Sequence, residues 1–178
     1  RLKQACASVI SAEQELTDQV LSVLEEALAA FLAARRREAE GLTRDILARL
    51  DAIEAQVQAI RARSPETVAE YHAKLRERVS ALLEAPVDEE RLAAEVALMA
   101  DRSDISEEIA RLKSHIAQLG ELLAAAEPVG RKLDFLVQEF NREANTISSK
   151  SQDIPITRAA LEMKSEIEKL REQLQNVE

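Results

Sequence analysis

Residues that end helices and form turns are scarce in this sequence. Its 178 residues include three glycines, four prolines, one tyrosine and three phenylalanines, and it has no tryptophan. Alanine, leucine, glutamate and arginine dominate instead. Such a composition is typical of long helices and not of a sheet with many turns. We therefore predict an all-α fold, in which a long helical hairpin or coiled-coil arm precedes a C-terminal helical bundle.

Further absences exclude several classes of protein. No apolar run approaches the roughly 20 residues that span a bilayer, so we do not expect a membrane protein. The single cysteine, Cys6, cannot form an intrachain disulfide. Together with the lack of a signal-like start, this favours a reducing, cytoplasmic setting. The sequence also has no glycine-rich phosphate loop, no CxxC pair and no serine or cysteine nucleophile motif.

Positive charge is in short supply, since the formal net charge is −9. An acidic chain repels polyphosphate at long range. Binding of nucleic acid would therefore need a locally basic surface, bound metal cations or residues outside this stretch. Because the sequence starts with Arg1 and not with methionine, we expect it to be part of a longer protein.

Apolar periodicity predicts six helices and no strand. Ser64 and Pro65 resemble an N-cap and a first turn, and Asp88 resembles a second N-cap. Residues 1–12 have no clear pattern and stay unassigned. We divide the rest into an arm or hairpin, 13–86, and a C-terminal helical domain, 87–178. The predicted helices cover residues 13–63, 65–84, 89–101, 104–123, 130–147 and 155–178.

The first predicted helix has an apolar stripe that is too long for a small core. It runs through Leu16, Val20, Val23, Leu24, Leu28 and Phe31 and resumes at Leu42, Ile46, Leu50, Ile53, Val57 and Ile60. Such a stripe is expected to pack in a projecting antiparallel hairpin or against another subunit. The last helix is heptad-like, with Ile156, Ala160, Met163, Ile167, Leu170, Leu174 and Val177. Both patterns predict a homo-oligomer.

The fifth predicted helix has more polar residues than packing requires. Its core side consists of Leu133, Leu136, Val137, Phe140, Ala144 and Ile147, and its other side has Arg131, Asp134, Gln138, Asn141, Arg142 and Asn145. Asparagine is a poor helix former because its side chain competes for backbone hydrogen bonds. Two asparagines in mid-helix therefore indicate specific partners. The alternatives are a polar helix–helix interface and a surface without a role.

Carboxylates and a histidine share one side of the fourth predicted helix. The strip contains Asp104, Glu108, Arg111 and His115, with Glu107 at its margin. Such a group can bind a divalent metal or set up a histidine for proton transfer. The alternatives are helix capping by Asp104 with Glu107, and a surface histidine paired to Glu107 or Glu108. His72 has no such strip, and we interpret it as a surface residue.

Three motifs in order resemble the YicC/YloC family of bacterial proteins. They are RLAAEVALMADRSDISEEIARLKSHI at 91–116, GRKLDFLVQEFNREANTISSKS at 130–151 and MKSEIEKLREQLQNVE at 163–178. The resemblance is close over about the last 90 residues, whereas 13–63 is similar only in character. It implies a cytoplasmic, divalent-cation-dependent endoribonuclease that forms homo-oligomers, with a hexamer as the expected form. It also implies a preceding α/β domain, absent from this stretch, so that this stretch alone is expected to be inactive.

The resemblance also implies which residues form a site. The family's polar signature falls on Asp104, Glu107, Glu108, Arg111, His115, Arg131, Asp134, Gln138, Glu139, Asn141, Arg142, Glu143, Asn145, Thr146, Ser149 and Lys150. We expect these side chains to meet in one cleft between two helices.

On this hypothesis the residues divide by role. Catalysis is assigned to His115, Glu108, Asp134 and Glu139, and binding of Mn²⁺ or Mg²⁺ to Asp134, Glu107, Glu108 and Glu143. RNA binding is assigned to Arg111, Arg131, Gln138, Asn141, Arg142, Asn145 and Lys150. Two alternatives remain, a non-catalytic helical scaffold or adaptor and an RNA-binding protein that does not cleave.

Overall fold

Helices account for every regular element in the part of the chain that the structure describes. The computed structural model describes residues 2–82, 86–125 and 130–175, with side chains from Gln14 onward. The elements are α1 (Leu2–Leu82), α2 (Glu89–Arg102), α3 (Ser106–Ala124), α4 (Gly130–Lys150) and α5 (Ile154–Leu174). The predicted all-α fold with a long N-terminal helix and a C-terminal bundle is thereby confirmed. Among the described residues, no helix has the length and apolar character to cross a bilayer.

The predicted break at Pro65 is wrong, because α1 continues through it. Residues 13–82 therefore form one helix and not a hairpin. A proline inside a helix removes one backbone hydrogen bond. Here the guanidinium of Arg63, before the proline, lies 2.8 Å from the carboxylate of Glu66 and 2.7 Å from that of Glu70, after it. These ion pairs connect the helical turns on the two sides of Pro65.

The apolar stripe of α1 belongs to two compact units, residues 1–42 and 43–178. Among the described side chains of the first unit, the large apolar ones from Leu16 to Leu32 are exposed: Leu16, Val20, Leu21, Val23, Leu24, Leu28, Phe31 and Leu32. Within the second unit, the stripe is buried at Ile46, Leu50, Ile53, Val57 and Ile60. The apolar spacing is the same in both parts of α1. The difference in exposure therefore comes from the presence of packing partners.

The core of the second unit joins α1 to α3, α4 and α5 in one apolar cluster. The core side predicted for α4 is confirmed at all six positions, with Phe140 fully buried. The heptad positions of α5 are confirmed as far as Leu174, whereas Val177 lies outside the described residues. On α3, Ile105, Ile109, Leu112 and Leu119 are buried, and Ile116 and Leu123 pack at the edge. The removal of this apolar surface from water stabilises the bundle.

Aspartates start two of the helices. As predicted, Asp88 caps α2, and its carboxylate accepts hydrogen bonds from the backbone N–H groups of Glu90 at 3.1 Å and Arg91 at 3.2 Å. Asp153 caps α5 and accepts from the N–H of Ile156 at 3.0 Å. Each cap satisfies donors that the first turn leaves free.

The start of α3 differs from the capping box predicted there. Its N-cap is Ile105, which has no side-chain acceptor. Asp104 accepts instead from the N–H of Ser106 at 2.9 Å. The Ser106 hydroxyl and N–H lower the pKa of the Asp104 carboxyl. Glu107 pairs with the side chain of Arg111 and not with the backbone.

An ion pair connects α1 to the start of α5. The Nη2 atom of Arg63 lies 2.9 Å from Oδ2 of Asp153, and both side chains are largely buried. The hydrogen bond from Arg63 lowers the pKa of the Asp153 carboxyl. Asp153 therefore serves two purposes, since one carboxylate caps α5 and holds the guanidinium of α1.

Replacing Asp153 by alanine should lower the free energy of unfolding more than replacing it by asparagine. Asparagine keeps a capping acceptor, whose loss costs about 1 kcal/mol, whereas neither substitution keeps the charge that faces Arg63. Because the pKa of Asp153 is lowered by folding, the advantage of the wild type over Asp153→Asn is complete above the ordinary carboxyl pKa of about 3.9. It is lost as the pH falls through the lowered, folded value.

Urea unfolding followed by circular dichroism, from about pH 2 to pH 7, measures both effects. Glu66→Ala is the control, since this partner of Arg63 is mostly exposed and its loss should matter less. A difference between wild type and Asp153→Asn that does not change with pH would contradict the ion-pair explanation.

Candidate functional site

A histidine and two carboxylates from different helices come together between α3 and α4. His115 of α3 and Glu139 and Glu143 of α4 each place one potential ligand atom within 4.8 Å of the others. Glu139 and Glu143 are four residues apart, which puts both side chains on the same face of α4. We call these three residues the His–Glu cluster.

Polar atoms in this cluster are buried without partners. The side chain of Glu143 is 2% exposed. Its Oε2 atom and both ring nitrogens of His115 make no hydrogen bond within the described parts of the chain. A buried polar atom left unsatisfied costs about 1–3 kcal/mol, so such atoms are rare in proteins. Imidazole nitrogen and carboxylate oxygen are both metal ligands, and the His–Glu cluster therefore fits a divalent cation.

The core of the bundle forms one wall of the cluster. Glu143 lies on the apolar side of α4, between Phe140 and Ile147, which are both fully buried. The ring of His115 lies 6.3 Å from that of Phe140, centroid to centroid, with a tilt of 56°. Apolar neighbours lower the local dielectric constant and so strengthen the electrostatic interactions of the cluster.

Arg111 connects the cluster to a second buried carboxylate. Its Nε atom lies 2.8 Å from Oε1 of Glu143, and its Nη2 atom lies 3.5 Å from Oε1 of Glu108. Glu108 is 3% exposed. A third carboxylate, Glu107, pairs with the same guanidinium at its exposed end. Glu143 and the other carboxylates raise the pKa of Arg111. The positive charge of Arg111 in turn compensates the buried negative charge.

Lys150 completes the network and joins the end of α4 to the start of α3. Its ammonium group lies 3.0 Å from Oε1 of Glu108 and donates to the backbone carbonyl of Asp104 at 2.8 Å. Lys150 and Arg111, both predicted to contact RNA, are thus engaged with buried or backbone acceptors. Their first effect is to hold α3 and α4 together and to orient the carboxylates.

A second polar site lies on another side of α4, where that helix meets α5. It is a cavity of about 760 Å³. We call it the α4/α5 groove, and it is lined by Asp134, Val137, Gln138, Asn141, Arg142, Asn145, Thr146, Arg171 and Gln175. All the predicted amide residues are in this groove.

The single cleft expected from the sequence is therefore divided. Glu107, Glu108, Arg111, His115, Glu139, Glu143 and Lys150 lie at or beside the His–Glu cluster. Asp134, predicted to bind metal, lies in the α4/α5 groove with the amides. Arg131 lines a separate cavity of about 480 Å³ beside Lys132 and Phe135. The expected cleft is divided because each residue of a helix turns by about 100°, so that positions 134 and 143 lie on different sides of α4.

Two lining residues of the groove escaped sequence reasoning. Arg171 and Gln175 follow each other at helical spacing among other charged residues of α5. Nothing distinguishes them there, because only packing brings α5 against the polar side of α4. Glu143 did have a sequence signal: it is a charged residue three positions after Phe140 and four before Ile147, on the side predicted to be core.

Comparisons with known proteins agree on the family of this chain. Residues 60–178 match the family described as endoribonuclease YicC-like, C-terminal. A probable endoribonuclease YicC of Clostridioides difficile (strain 630) is 46% identical over 168 residues, which are 93% of this chain and 57% of the relative. A probable endoribonuclease YicC of Haemophilus influenzae is 36% identical over 174 residues, 96% of this chain and 60% of the relative. The chain thus spans less than two thirds of the length of these relatives.

Replacing Arg111 by methionine should lower the thermal unfolding midpoint more than Arg158→Met. The first change leaves the buried carboxylates of Glu108 and Glu143 without their shared cation, and uncompensated buried charge is strongly destabilising. Arg158 pairs with an exposed carboxylate on the surface of α5, where ion pairs contribute little. Calorimetry measures both midpoints.

Adding Glu143→Gln to Arg111→Met should recover part of the loss, because the neutral amide needs no compensating cation. This double-mutant cycle tests the coupling directly. Equal midpoints for Arg111→Met and Arg158→Met would show that the network does not stabilise the fold.

Proposed function

We infer the function of this chain from its family, since it belongs to the proteins described as endoribonuclease YicC-like in their C-terminal part. We propose that it is part of an endoribonuclease that cleaves RNA phosphodiester bonds with the help of a divalent cation. The names of two relatives as probable endoribonucleases support the reaction. The observation that carries the proposal is the His–Glu cluster, which unites one imidazole and two carboxylates in a partly buried place.

The donor set favours particular cations. Carboxylate oxygens suit Mg²⁺ and Mn²⁺, while an imidazole nitrogen makes Mn²⁺ a better match than Mg²⁺. Glu139, Glu143 and His115 would hold the ion. When bound, it would supply positive charge that stabilises the charge developing on the phosphate in the transition state. The ion would also resolve the conflict between a net charge of −9 and a polyanionic substrate.

The protein's own side chains would contribute positioning and proton transfer. Arg111 holds one oxygen of Glu143 and so leaves the other free to act as a ligand. Lys150 and Arg111 together fix Glu108, which keeps negative charge close to the cluster. A ring nitrogen of His115 that binds no ligand would serve as the proton acceptor or donor in the cleavage step.

In the complete protein, His115→Ala and Glu143→Gln should each reduce kcat by about 10²-fold or more, the usual contribution of a general acid–base group. His72→Ala, which changes the chain's other histidine, should leave kcat unchanged. A fluorogenic RNA with Mn²⁺ measures cleavage. EDTA should abolish it, and titration calorimetry should show weaker Mn²⁺ binding for both cluster variants. Wild-type cleavage by either variant would refute the assignment of the site.

We further propose that the enzyme works as a homo-oligomer in a reducing, cytoplasmic setting. The apolar side chains of α1 between Leu16 and Leu32 form an exposed stripe, and a large exposed apolar surface usually marks an interface. Its three- and four-residue spacing is that of helix pairing, which supports a second copy of the same helix as the partner. The alternative function, a non-catalytic scaffold or RNA-binding protein, would use the same stripe but not the His–Glu cluster.

The substitution Leu24→Arg should reduce the oligomer to smaller species, because it places a charge in the centre of the stripe. Ala29→Arg adds the same charge on the opposite side of α1 and is the matched control. Size-exclusion chromatography with light scattering measures the mass of each variant. If Leu24→Arg keeps the wild-type mass, the stripe does not mediate self-association.

A further inference from the structure

The α4/α5 groove presents amide groups that the fold does not use. The side chains of Gln138, Asn141, Asn145 and Gln175 line it, and none makes a hydrogen bond within the described ranges of the chain. Asparagine in a helix interior is less favourable than alanine. Two such residues one turn apart, with no internal partner, thus serve neither helix formation nor packing. Their donors and acceptors are available to a ligand.

Two arginines of the groove are held only loosely. The guanidinium of Arg142 is 3.5 Å from Glu139 and its side chain is 73% exposed. That of Arg171 is 3.6 Å from Glu168, and both of these side chains are about half exposed. Exposed pairs of this kind contribute little to stability. Either guanidinium can therefore turn to an anionic group, such as a phosphate, at little cost.

We propose that the α4/α5 groove binds a nucleotide of single-stranded RNA at a place other than the His–Glu cluster. The amides contact the base edge and the ribose 2′-hydroxyl, and Arg142 and Arg171 contact the flanking phosphates. This inference rests on the proposed function, and it deepens it by naming the form of RNA and the residues of α5 that take part.

The chemistry of the groove favours a single strand over a duplex. Side chains cannot reach base edges in the deep major groove of double-stranded RNA, whereas unpaired bases expose them. Amide side chains match such edges because each carries both a donor and an acceptor. The cavity volume of about 760 Å³ is within the range of small-molecule sites. Since Asn145 and Glu143 are on the same rigid helix, a strand held in the groove keeps one position relative to the cluster.

The test measures binding of a labelled single-stranded RNA, and of DNA with the same sequence, to the complete protein by fluorescence anisotropy. EDTA is present to keep the RNA whole, which a gel verifies. The double substitution Asn141→Ala and Asn145→Ala should weaken RNA binding about ten-fold and DNA binding much less, because the lost contacts include the 2′-hydroxyl. Alanine is the better helix former, so unfolding cannot explain the loss.

Arg171→Ala should weaken binding of RNA and DNA alike, by about ten-fold, because a phosphate contact does not depend on the sugar. Arg158→Ala is the matched control, since it removes an exposed arginine of the same helix outside the groove. Its effect should stay below about two-fold, as expected for a surface charge with no contact to the RNA.

The outcomes separate the groove from the proposed function. If the asparagine double variant and Arg171→Ala bind RNA as the wild type does, while Glu143→Gln abolishes cleavage, the groove assignment is wrong and the proposed function stands. If both groove variants lose RNA binding while His115→Ala still cleaves, the groove is right and the catalytic site is wrong. Groove variants that change the oligomer mass and not RNA affinity would identify a protein interface and overturn the inference.

Discussion

The ion pair between Arg111 and two buried carboxylates is the interaction on which the site depends. Glu108 and Glu143 are 3% and 2% exposed, and the desolvation of a buried ion costs several kcal/mol unless an opposite charge compensates it. Arg111 compensates both of them from a partly exposed position, and Lys150 adds a second positive charge. Buried carboxylates of this kind are weak contributors to stability. Through Arg111, one of them, Glu143, is held at a fixed point beside His115.

The helix α4 contributes to three parts of the structure: the core, the His–Glu cluster and the α4/α5 groove. Its apolar side packs in the core around Phe140, and the margin of that side carries Glu139 and Glu143. Its polar side lines the α4/α5 groove. Because the helix is rigid, these sides have constant separations, which the proposed binding and cleavage of RNA would require. The cost is a helix with asparagines in its interior, which only tertiary packing can support.

The long helix α1 combines two environments along one apolar stripe. From Ile46 onward the stripe is covered by other helices of the bundle, and from Leu16 to Leu32 it is exposed. Apolar periodicity alone does not distinguish these parts, because it reports which residues share a face and not what covers that face. The exposed part is the reason to expect a larger assembly. Ion pairs of Arg63 with Glu66 and Glu70 connect the two sides of Pro65, whereas its third partner, Asp153, cannot be recognised without the fold.

Local patterning determined the class of this protein: few turn residues and apolar spacing of three and four are enough to specify helices, their buried faces and the aspartate cap of α2. Residue spacing also identified the polar side of α4 and the carboxylate strip of α3. Tertiary structure alone decided which polar residues meet. It separated Asp134 from His115, brought Arg171 and Gln175 into the groove, and paired Arg111 with Glu143. The physical reason is that side-chain chemistry acts over a few ångströms, whereas sequence spacing within one helix carries no information on how another helix is rotated against it.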